Sequence, residues 1–276
     1  MAKVMALMVC FVLLCCFSLN FVNITIAGND DADQKEVGVE WVENYSSDPL
    51  KWTSEAAEGF YSRLGEIGWT KRFDFGDDLA WESDFEKSAV GGSDYLYIDT
   101  VDFAWFGGHG DSAEFMFSTN HDGDGAYPCV VHYTEASWGD LDLEWVVISA
   151  CQVLQWQAPL GNVFDRWAWP VFKGLHAIFG FDSNASDQPI WTDPFHLTWE
   201  SPGKRFVDYM AVPYTIGESW QRTTIDWQPS DNWGAALAVC DTATNFYQWD
   251  DYLPGYGYVS PDVDSPTSFV WRNWQC

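Results

Sequence analysis

Basic residues are scarce in this chain. Its 276 residues include 13 Lys and Arg against 41 Asp and Glu, which gives a formal net charge of −28. No run of Lys or Arg interrupts the excess of acid, so the electrostatic field repels phosphate backbones and anionic lipid headgroups. The composition therefore argues against nucleic acid and against an anionic membrane surface as partners.

Long apolar runs are missing after the first residues of the chain. Residues 1–27 carry one basic residue, Lys3, are otherwise mostly apolar, and end in Thr25-Ile26-Ala27. A positive start, an apolar centre and small residues at the end are typical of a secretory signal peptide. We predict cleavage near Ala27 and a secreted or cell-surface protein. The alternative is an uncleaved N-terminal membrane anchor, because the run is just long enough to span a bilayer.

Few cysteines remain once the leader is set aside. They are Cys129, Cys151, Cys240 and Cys276. An oxidising compartment permits disulfides, and four thiols allow two of them. Either all four pair, or one stays free for chemistry while the others form one bridge and leave one thiol over.

No internal repeat, low-complexity block or Pro/Gly linker divides residues 28–276, so we predict a single domain. Short apolar runs typical of strands covered on both faces alternate with segments of helical period. Strands are predicted at residues 35–41, 101–106, 145–149, 175–181 and 235–239. Helices are predicted at residues 54–67, 163–172, 204–210 and 218–226. Residues 254–276 are predicted to be an ordered surface loop.

This alternation of strands and helices predicts an α/β fold, a three-layer sandwich with a mostly parallel sheet. Tryptophan is abundant, with 18 residues. Several of them lie in apolar stretches, which favours core packing over stacking against sugars. Those predicted to be in the core are Trp105, Trp145, Trp167 and Trp169.

A histidine and a cysteine follow two of the predicted strands. The first of these strands leads into Gly107-Gly108-His109-Gly110 and the second into Ala150-Cys151. In a parallel sheet such loops share one crevice at the carboxyl edge. A nearby imidazole can take the proton of a thiol, and the N–H groups of Gly110 and Cys151 can face a developing oxyanion. The pair therefore predicts a cysteine hydrolase site, and the alternative is a turn histidine with an inert buried cysteine.

The order of these features resembles that in the caspase, gingipain and legumain group of cysteine peptidases. An apolar strand is followed by His-Gly, about forty residues, a second apolar strand and Ala-Cys. The resemblance implies a caspase-like fold and a polypeptide substrate. It implies that His109 is the histidine of the catalytic dyad, Gly110 the oxyanion glycine and Cys151 the nucleophile. Residues 172–181, FKGLHAIFGF, are similar to the strand after the nucleophile helix in gingipain-like domains.

A longer resemblance covers nearly all of the chain after the leader. The blocks that carry it are Gly68-Trp69-Thr70, residues 103–110, Trp138-Gly139-Asp140 with Glu144-Trp145, Gly174-Leu175-His176, and residues 257–262. These blocks are similar to those of a family of secreted bacterial and archaeal proteins catalogued as a domain of unknown function.

A candidate calcium loop lies between the histidine and the cysteine. Asn120, Asp122 and Asp124 place oxygen ligands at alternate positions before a glycine, a spacing that suits a hard cation such as Ca²⁺. The twelfth position, where an EF-hand has Glu, is Val131, so further ligands would have to come from elsewhere. The alternative is a solvated turn, because Asn, Asp and Gly are common turn formers.

Two further predictions concern charge near the dyad. The acidic surface, with Asp182 or Asp187 after the strand at residues 175–181, favours a basic residue before the scissile bond.

His176 lies in that apolar strand and is predicted to be a core histidine with a hydrogen-bond partner rather than a third catalytic residue.

The sequence thus predicts a secreted cysteine-dependent hydrolase, a peptidase with a His–Cys dyad. The competing prediction is a non-catalytic acidic cell-surface or adhesive protein that retains a peptidase-like fold. Such a protein would bind Ca²⁺ or carry glycans at sequons that begin at Asn23, Asn44 and Asn184.

Overall fold

Fourteen strands and three α-helices form in the residues described by the computed structural model, which are 35–121, 126–241 and 246–276. The strands are β1 (Glu36–Trp41), β2 (Thr70–Gly76), β3 (Phe103–Gly107), β4 (Glu114–Met116), β5 (Val130–His132), β6 (Trp145–Ser149), β7 (Gln157–Ala158), β8 (Gly161–Asn162), β9 (Ala177–Phe181), β10 (Ile190–Trp191), β11 (Trp199–Glu200), β12 (Trp233–Asp241), β13 (Phe246–Tyr247) and β14 (Phe269–Gln275). The helices are α1 (Thr53–Glu66), α2 (Pro202–Met210) and α3 (Ile216–Trp227). None of the described helices has the length and apolar character needed to cross a membrane. The predicted leader, residues 1–27, lies outside the described residues.

Eight strands form one sheet in the order β2–β1–β3–β6–β9–β12, with β13 and β14 both pairing with β12. The strands from β2 to β9 run parallel to their neighbours. In contrast, β12 is antiparallel to β9, and β13 and β14 are antiparallel to β12. The predicted α/β class and mostly parallel sheet are therefore confirmed.

The central strands β3 and β6 are buried along their whole length. Side chains of β3 alternate between two cores, because successive residues of a strand point to opposite faces. Phe103 and Trp105 pack in the core beneath the helices, and Ala104 and Phe106 pack in the core of the other face. On the helical side, the Phe60 ring of α1 lies 4.9 Å from that of Phe103. Burial on both faces explains why these strands have continuous apolar sequences.

Among the described residues, α-helices cover only one face of the sheet, so the three-layer part of the predicted fold is not confirmed. The helix predicted at residues 163–172 is reduced to a π-helical turn, Phe164–Ala168. Pro170 follows Trp169 and cannot donate the backbone hydrogen bond that would continue a helix. The buried Arg166 guanidinium donates to the carbonyls of Ser112, Gly161 and Gln155, which fastens the turn to neighbouring loops.

The end of the chain is a strand where a surface loop was predicted. β14 pairs with β12 from Phe269 opposite Val239 to Gln275 opposite Trp233. Phe269 packs against the core on the face without α-helices, whereas Val270 packs against the core beneath the helices. This alternation is typical of a strand. The charged and polar residues of β14 weaken the apolar pattern in its sequence. Trp169, predicted to be in the core, is 52% exposed, whereas the other three tryptophans named with it are buried.

Candidate active site

Two neighbouring strands, β3 and β6, end side by side and carry the predicted histidine and cysteine just beyond their ends. Gly107 and Ser149 are the last paired residues of these strands. His109 and Cys151 each follow two positions later. The Gly108 N–H donates to the Ser149 carbonyl at 3.2 Å, and this hydrogen bond joins the ends of the two strands. Parallel neighbours lie about 4.8 Å apart, so the equal offsets bring both residues to one place at the carboxyl edge of the sheet.

Both residues line an open cavity of about 430 Å³. Its wall is completed by the segment that leads into α1, by residues 184–187 after β9, and by the end of α3. The lining residues are Asp48, Leu50, Trp52, Thr53, Ala56, Gly107, Gly108, His109, Gly110, Ser149, Cys151, Asn184, Ala185, Ser186, Asp187 and Trp227. A cavity of this size can take one side chain and the backbone around it.

The imidazole of His109 is oriented by the backbone of Asp48. Its Nε2 atom lies 2.7 Å from the Asp48 carbonyl oxygen. A carbonyl can only accept a hydrogen bond, so Nε2 carries the proton and Nδ1 keeps a lone pair that can accept one. Asp48 adopts the left-handed backbone conformation, with a φ of 58°, which aspartate tolerates better than most residues. The sequence offers no signal for this contact, because it depends on a loop.

Tyr45 holds His109 from the other side. The centroids of the two rings are 4.5 Å apart. The Tyr45 hydroxyl accepts a hydrogen bond from the His109 N–H at 3.0 Å and donates to the Met116 carbonyl at 2.7 Å. Burial of the hydroxyl raises the pKa of Tyr45 well above its ordinary value, so it stays a donor at physiological pH. Tyr45 therefore fixes the backbone of His109 relative to the strand that follows it.

We expect Tyr45→Phe to lower the free energy of unfolding by about 1–2 kcal/mol, because both hydrogen bonds of the hydroxyl are lost and their partners are left in place. Urea unfolding measures the change. Tyr256→Phe is the matched control, because Tyr256 is 41% exposed and surface substitutions change stability by about 0.5 kcal/mol or less. Equal unfolding midpoints of the two variants would contradict the role of Tyr45.

The thiol of Cys151 faces the loop that follows β9. The Ala185 N–H donates to the sulfur at 3.3 Å, and the Ala185 carbonyl lies 3.7 Å from the sulfur as an acceptor for the S–H group. The backbone of Ala185 therefore positions the sulfur of Cys151 against this loop. The same loop is tied to the turn after Cys151, because the Gln152 N–H donates to the Ser183 carbonyl at 2.8 Å.

Of the two acids predicted to select a basic substrate residue, only Asp187 lines the cavity. Its Oδ2 atom accepts hydrogen bonds from the N–H groups of Lys51 at 2.6 Å and Trp52 at 3.4 Å. Asp187 thus anchors the segment that contains Asp48. Asp182 is engaged elsewhere, with the Trp156 N–H and the Asn273 amide. The lining residues include Asp48 and Asp187 but no Lys or Arg, so the field of the cavity favours a cationic group.

The four described cysteines, Cys129, Cys151, Cys240 and Cys276, are all unpaired, so both predicted disulfide arrangements are wrong. Cys240 and Cys276 flank opposite ends of the β12–β14 pair, because the Cys240 N–H bonds to Ser268 and the Cys276 N–H to Asn232. Seven paired positions lie between them, which places them about 26 Å apart along the strand. A disulfide requires the two Cα atoms to lie within about 7 Å. Cys151 is half-buried and lines the cavity as a free thiol.

The predicted calcium loop is only partly within the described residues. Asn120 is exposed, and Asp122 and Asp124 lie outside the description. In residues 35–121, 126–241 and 246–276, no group of three or more His, Cys, Asp or Glu side chains is arranged to hold a metal ion. Calcium binding by Asn120, Asp122 and Asp124 stays a prediction.

His176 lies at the other end of the sheet, just before β9 begins. It is fully buried, and its Nδ1 and Nε2 atoms lie 2.7 Å from Asp251 Oδ2 and 3.0 Å from Asp262 Oδ1. Burial by itself lowers the pKa of His176, but the hydrogen bonds and charges of the two aspartates outweigh it and raise the pKa to about 9. His176 is therefore a charged core histidine that fastens residues 251–262 to the sheet.

Two sequence blocks of the longer resemblance meet at a close backbone contact. Gly139 has a φ of 86° and Gly174 a φ of 152°. A Cβ atom added to Gly174 would lie 1.8 Å from the Gly139 carbonyl oxygen, so both positions require glycine. Trp138 is buried in the core on the face without α-helices. These blocks therefore have a structural role, whereas the block at residues 103–110 contributes to the cavity.

The fold and the cavity define a mixed α/β protein with a histidine and a free cysteine at the ends of adjacent parallel strands. The family model described as "Domain of unknown function (DUF6345)" matches residues 39–275, and the chain belongs to this family. The predicted membership of a domain-of-unknown-function family is thus confirmed. A search of curated proteins found no match.

Proposed function

We propose that this protein is a secreted cysteine-dependent hydrolase that cleaves peptide bonds, with Cys151 as nucleophile and His109 as general base and then general acid. The observation that carries the proposal is that an unpaired thiol and an imidazole with a free Nδ1 line one cavity at the carboxyl ends of adjacent strands. General acid–base catalysis needs a group whose lone pair is available, and the Asp48 carbonyl provides this by binding the opposite nitrogen.

The reaction begins when His109 Nδ1 takes the proton of the Cys151 thiol. The sulfur attacks the carbonyl carbon of the peptide bond, and the carbonyl oxygen takes up the electron pair as an oxyanion. Collapse of this intermediate breaks the C–N bond, and the imidazolium of His109 gives its proton to the leaving amine. A water molecule, deprotonated by His109, then attacks the thioester and releases the carboxylic acid and the thiol.

The oxyanion has two candidate donors, the N–H groups of Gly110 and Cys151. Among the described residues, neither N–H has a hydrogen-bond acceptor, so both are available. Glycine is required at position 110, because a Cβ atom there would lie 2.8 Å from the Ala150 Cβ and 3.0 Å from the Glu114 carbonyl oxygen. Fixed donors of this kind supply much of the rate enhancement in acyl transfer.

The resemblance to caspases, gingipains and legumains supports the same assignment. It requires the histidine and cysteine strands to be neighbours in a parallel sheet, and β3 and β6 have that relation. A caspase-like arrangement of the whole domain is part of the proposal. The negative cavity further favours substrates with a basic residue before the scissile bond, with Asp187 at the cavity wall as the charged partner.

Selective alkylation of Cys151 tests the proposal. A lysine peptide with a chloromethyl ketone group should modify Cys151 much faster than Cys129, Cys240 or Cys276, because Cys151 lines the same cavity as His109. Peptide mapping by mass spectrometry identifies the modified residue. Cys151→Ala should abolish the fast phase, and Cys240→Ala, the matched control, should keep it.

Equal alkylation rates at Cys151 and Cys240 would refute the hydrolase proposal. That outcome would favour the non-catalytic acidic surface protein. Asn184 gives a second way to distinguish the two functions, because its sequon lines the cavity. A glycan attached to Asn184 in the purified native protein would fill the cavity and would also count against catalysis.

A further inference from the structure

A short hairpin, β10 with β11, lies beside the candidate active site. Its two strands pair through Ile190 with Glu200 and Trp191 with Trp199. Asp193 organises the connecting loop, because its carboxylate accepts hydrogen bonds from the N–H groups of Phe195 at 2.9 Å and Leu197 at 2.8 Å. The Trp191 ring stacks on His196 at 4.6 Å. The hairpin therefore has a defined tip rather than an irregular one.

This ordered tip displays two large apolar side chains to solvent. Phe195 is 80% exposed and Leu197 is 79% exposed, the highest values among the exposed large apolar side chains of the described residues. Burial of apolar surface is the main favourable contribution to most associations of polypeptides. A loop that fixes two apolar side chains outward is suited to bind a partner.

The hairpin is continuous with the cavity that contains His109 and Cys151. Trp52 lines that cavity, and its ring centroid lies 6.1 Å from Trp191 and 5.3 Å from Trp199. On its other side, the hairpin borders a second, more open cavity of about 530 Å³, lined in part by Trp199 and Lys204. One path of aromatic rings thus connects the two cavities.

We propose that this hairpin binds apolar side chains of the polypeptide substrate to one side of the scissile bond. The proposal rests on the proposed function, because it takes the occupant of the first cavity to be a peptide. An extended chain whose reacting residue lies between His109 and Cys151 can continue over Trp52 onto the hairpin. A membrane is disfavoured as the partner, because the chain has a net charge of −28 and the loop of the hairpin carries Asp193.

Peptide binding to Cys151→Ala, which cannot turn substrate over, tests the proposal. The probes are two fluorescent peptides with a central lysine, one flanked by leucine and phenylalanine and the other by serine. We expect the apolar peptide to bind at least about tenfold more tightly, because the truncation of anchoring apolar side chains commonly costs that much. Adding Phe195→Ser and Leu197→Ser should abolish this preference, as measured by fluorescence anisotropy.

Leu160→Ser is the matched control, because Leu160 is 55% exposed but lies outside both cavities. It should leave the preference unchanged. An equal affinity for both peptides, or a preference that survives the two hairpin substitutions, would overturn the proposal. Hairpin-dependent binding of neutral phosphatidylcholine vesicles instead of the peptide would also overturn it.

These outcomes are separable from failure of the proposed function. If Cys151 shows no selective alkylation while the apolar preference still depends on Phe195 and Leu197, the hairpin is a peptide-binding surface without catalysis. If Cys151 is alkylated selectively but the preference is absent, the hydrolase stands and the hairpin proposal is wrong.

Discussion

Replacement of His109 by alanine is expected to lower kcat/KM for peptide hydrolysis by about 10²–10⁴-fold, the usual contribution of a positioned general acid–base group. The imidazole is the group that would accept the Cys151 proton, and the Asp48 carbonyl at 2.7 Å sets its tautomer. The loss should fall on kcat more than on KM, because the base acts in the transition state. A fluorogenic peptide with lysine before the scissile bond measures the rate.

His121→Ala is the matched control for this experiment. His121 is exposed, stacks on Trp81 and does not line the cavity, so its loss should leave the rate unchanged. Alkylation of Cys151 should slow in His109→Ala but not in His121→Ala, which links the rate loss to the thiol. If kcat/KM of His109→Ala stays within about twofold of the wild-type value, His109 is not the base.

Replacement of His176 by alanine is expected to lower the free energy of unfolding by about 3–5 kcal/mol, because it leaves buried carboxylates without their cation. Asp251 is fully buried and lies 2.7 Å from the imidazole. For a protein of this size the loss corresponds to a decrease in Tm of roughly 6–20 °C. Urea unfolding and a thermal melt both measure it. His121→Ala again serves as the control and should change stability by about 0.5 kcal/mol or less.

The stabilisation by His176 should depend on pH in a defined direction. The folded-state pKa is raised from 6.5 to about 9, so the protonated imidazole favours the folded state. This contribution is fully present below pH 6.5 and is lost as the pH rises through about 9. The shift corresponds to roughly 3 kcal/mol. The stability difference between wild type and His176→Ala should therefore shrink from neutral to alkaline pH, and a constant difference would contradict a charged His176.

Continuous apolar runs and helical periods predicted most of the main sheet and its helical layer. β6 was predicted with its bounds, and α1, which buries Phe60 and Leu64 among others, forms where a helix was predicted at residues 54–67. β2 was not predicted, because its sequence, TKRFDFG, carries three charged residues. Phe73 is the only residue of this strand that is buried. It is an edge strand that pairs with β1, and this pairing is not visible in its own sequence pattern.

His109, Gly110 and Cys151 were predicted as site residues because they follow strands whose carboxyl ends had to meet if the sheet was parallel. Tyr45, Asp48, Ala185 and Asp187 were not predicted to position them. These residues come from loops. Asp48 and Ala185 contact the dyad through backbone groups that every residue type possesses, and the Tyr45 contact joins segments far apart along the chain. Asp187 was predicted only as a charge, whereas it also accepts hydrogen bonds from the segment that carries Asp48.

The amino-acid order alone determined which strands are buried, that they run mostly parallel, and that a histidine and a cysteine follow two of them, because burial and periodicity are local properties of a sequence. Tertiary structure decided that the thiols stay apart, that one face of the sheet lacks α-helices in the described residues, and that the Asp48 carbonyl binds Nε2 of the His109 imidazole. Each of these depends on distances between segments far apart along the chain, and local sequence patterns carry no information about such distances.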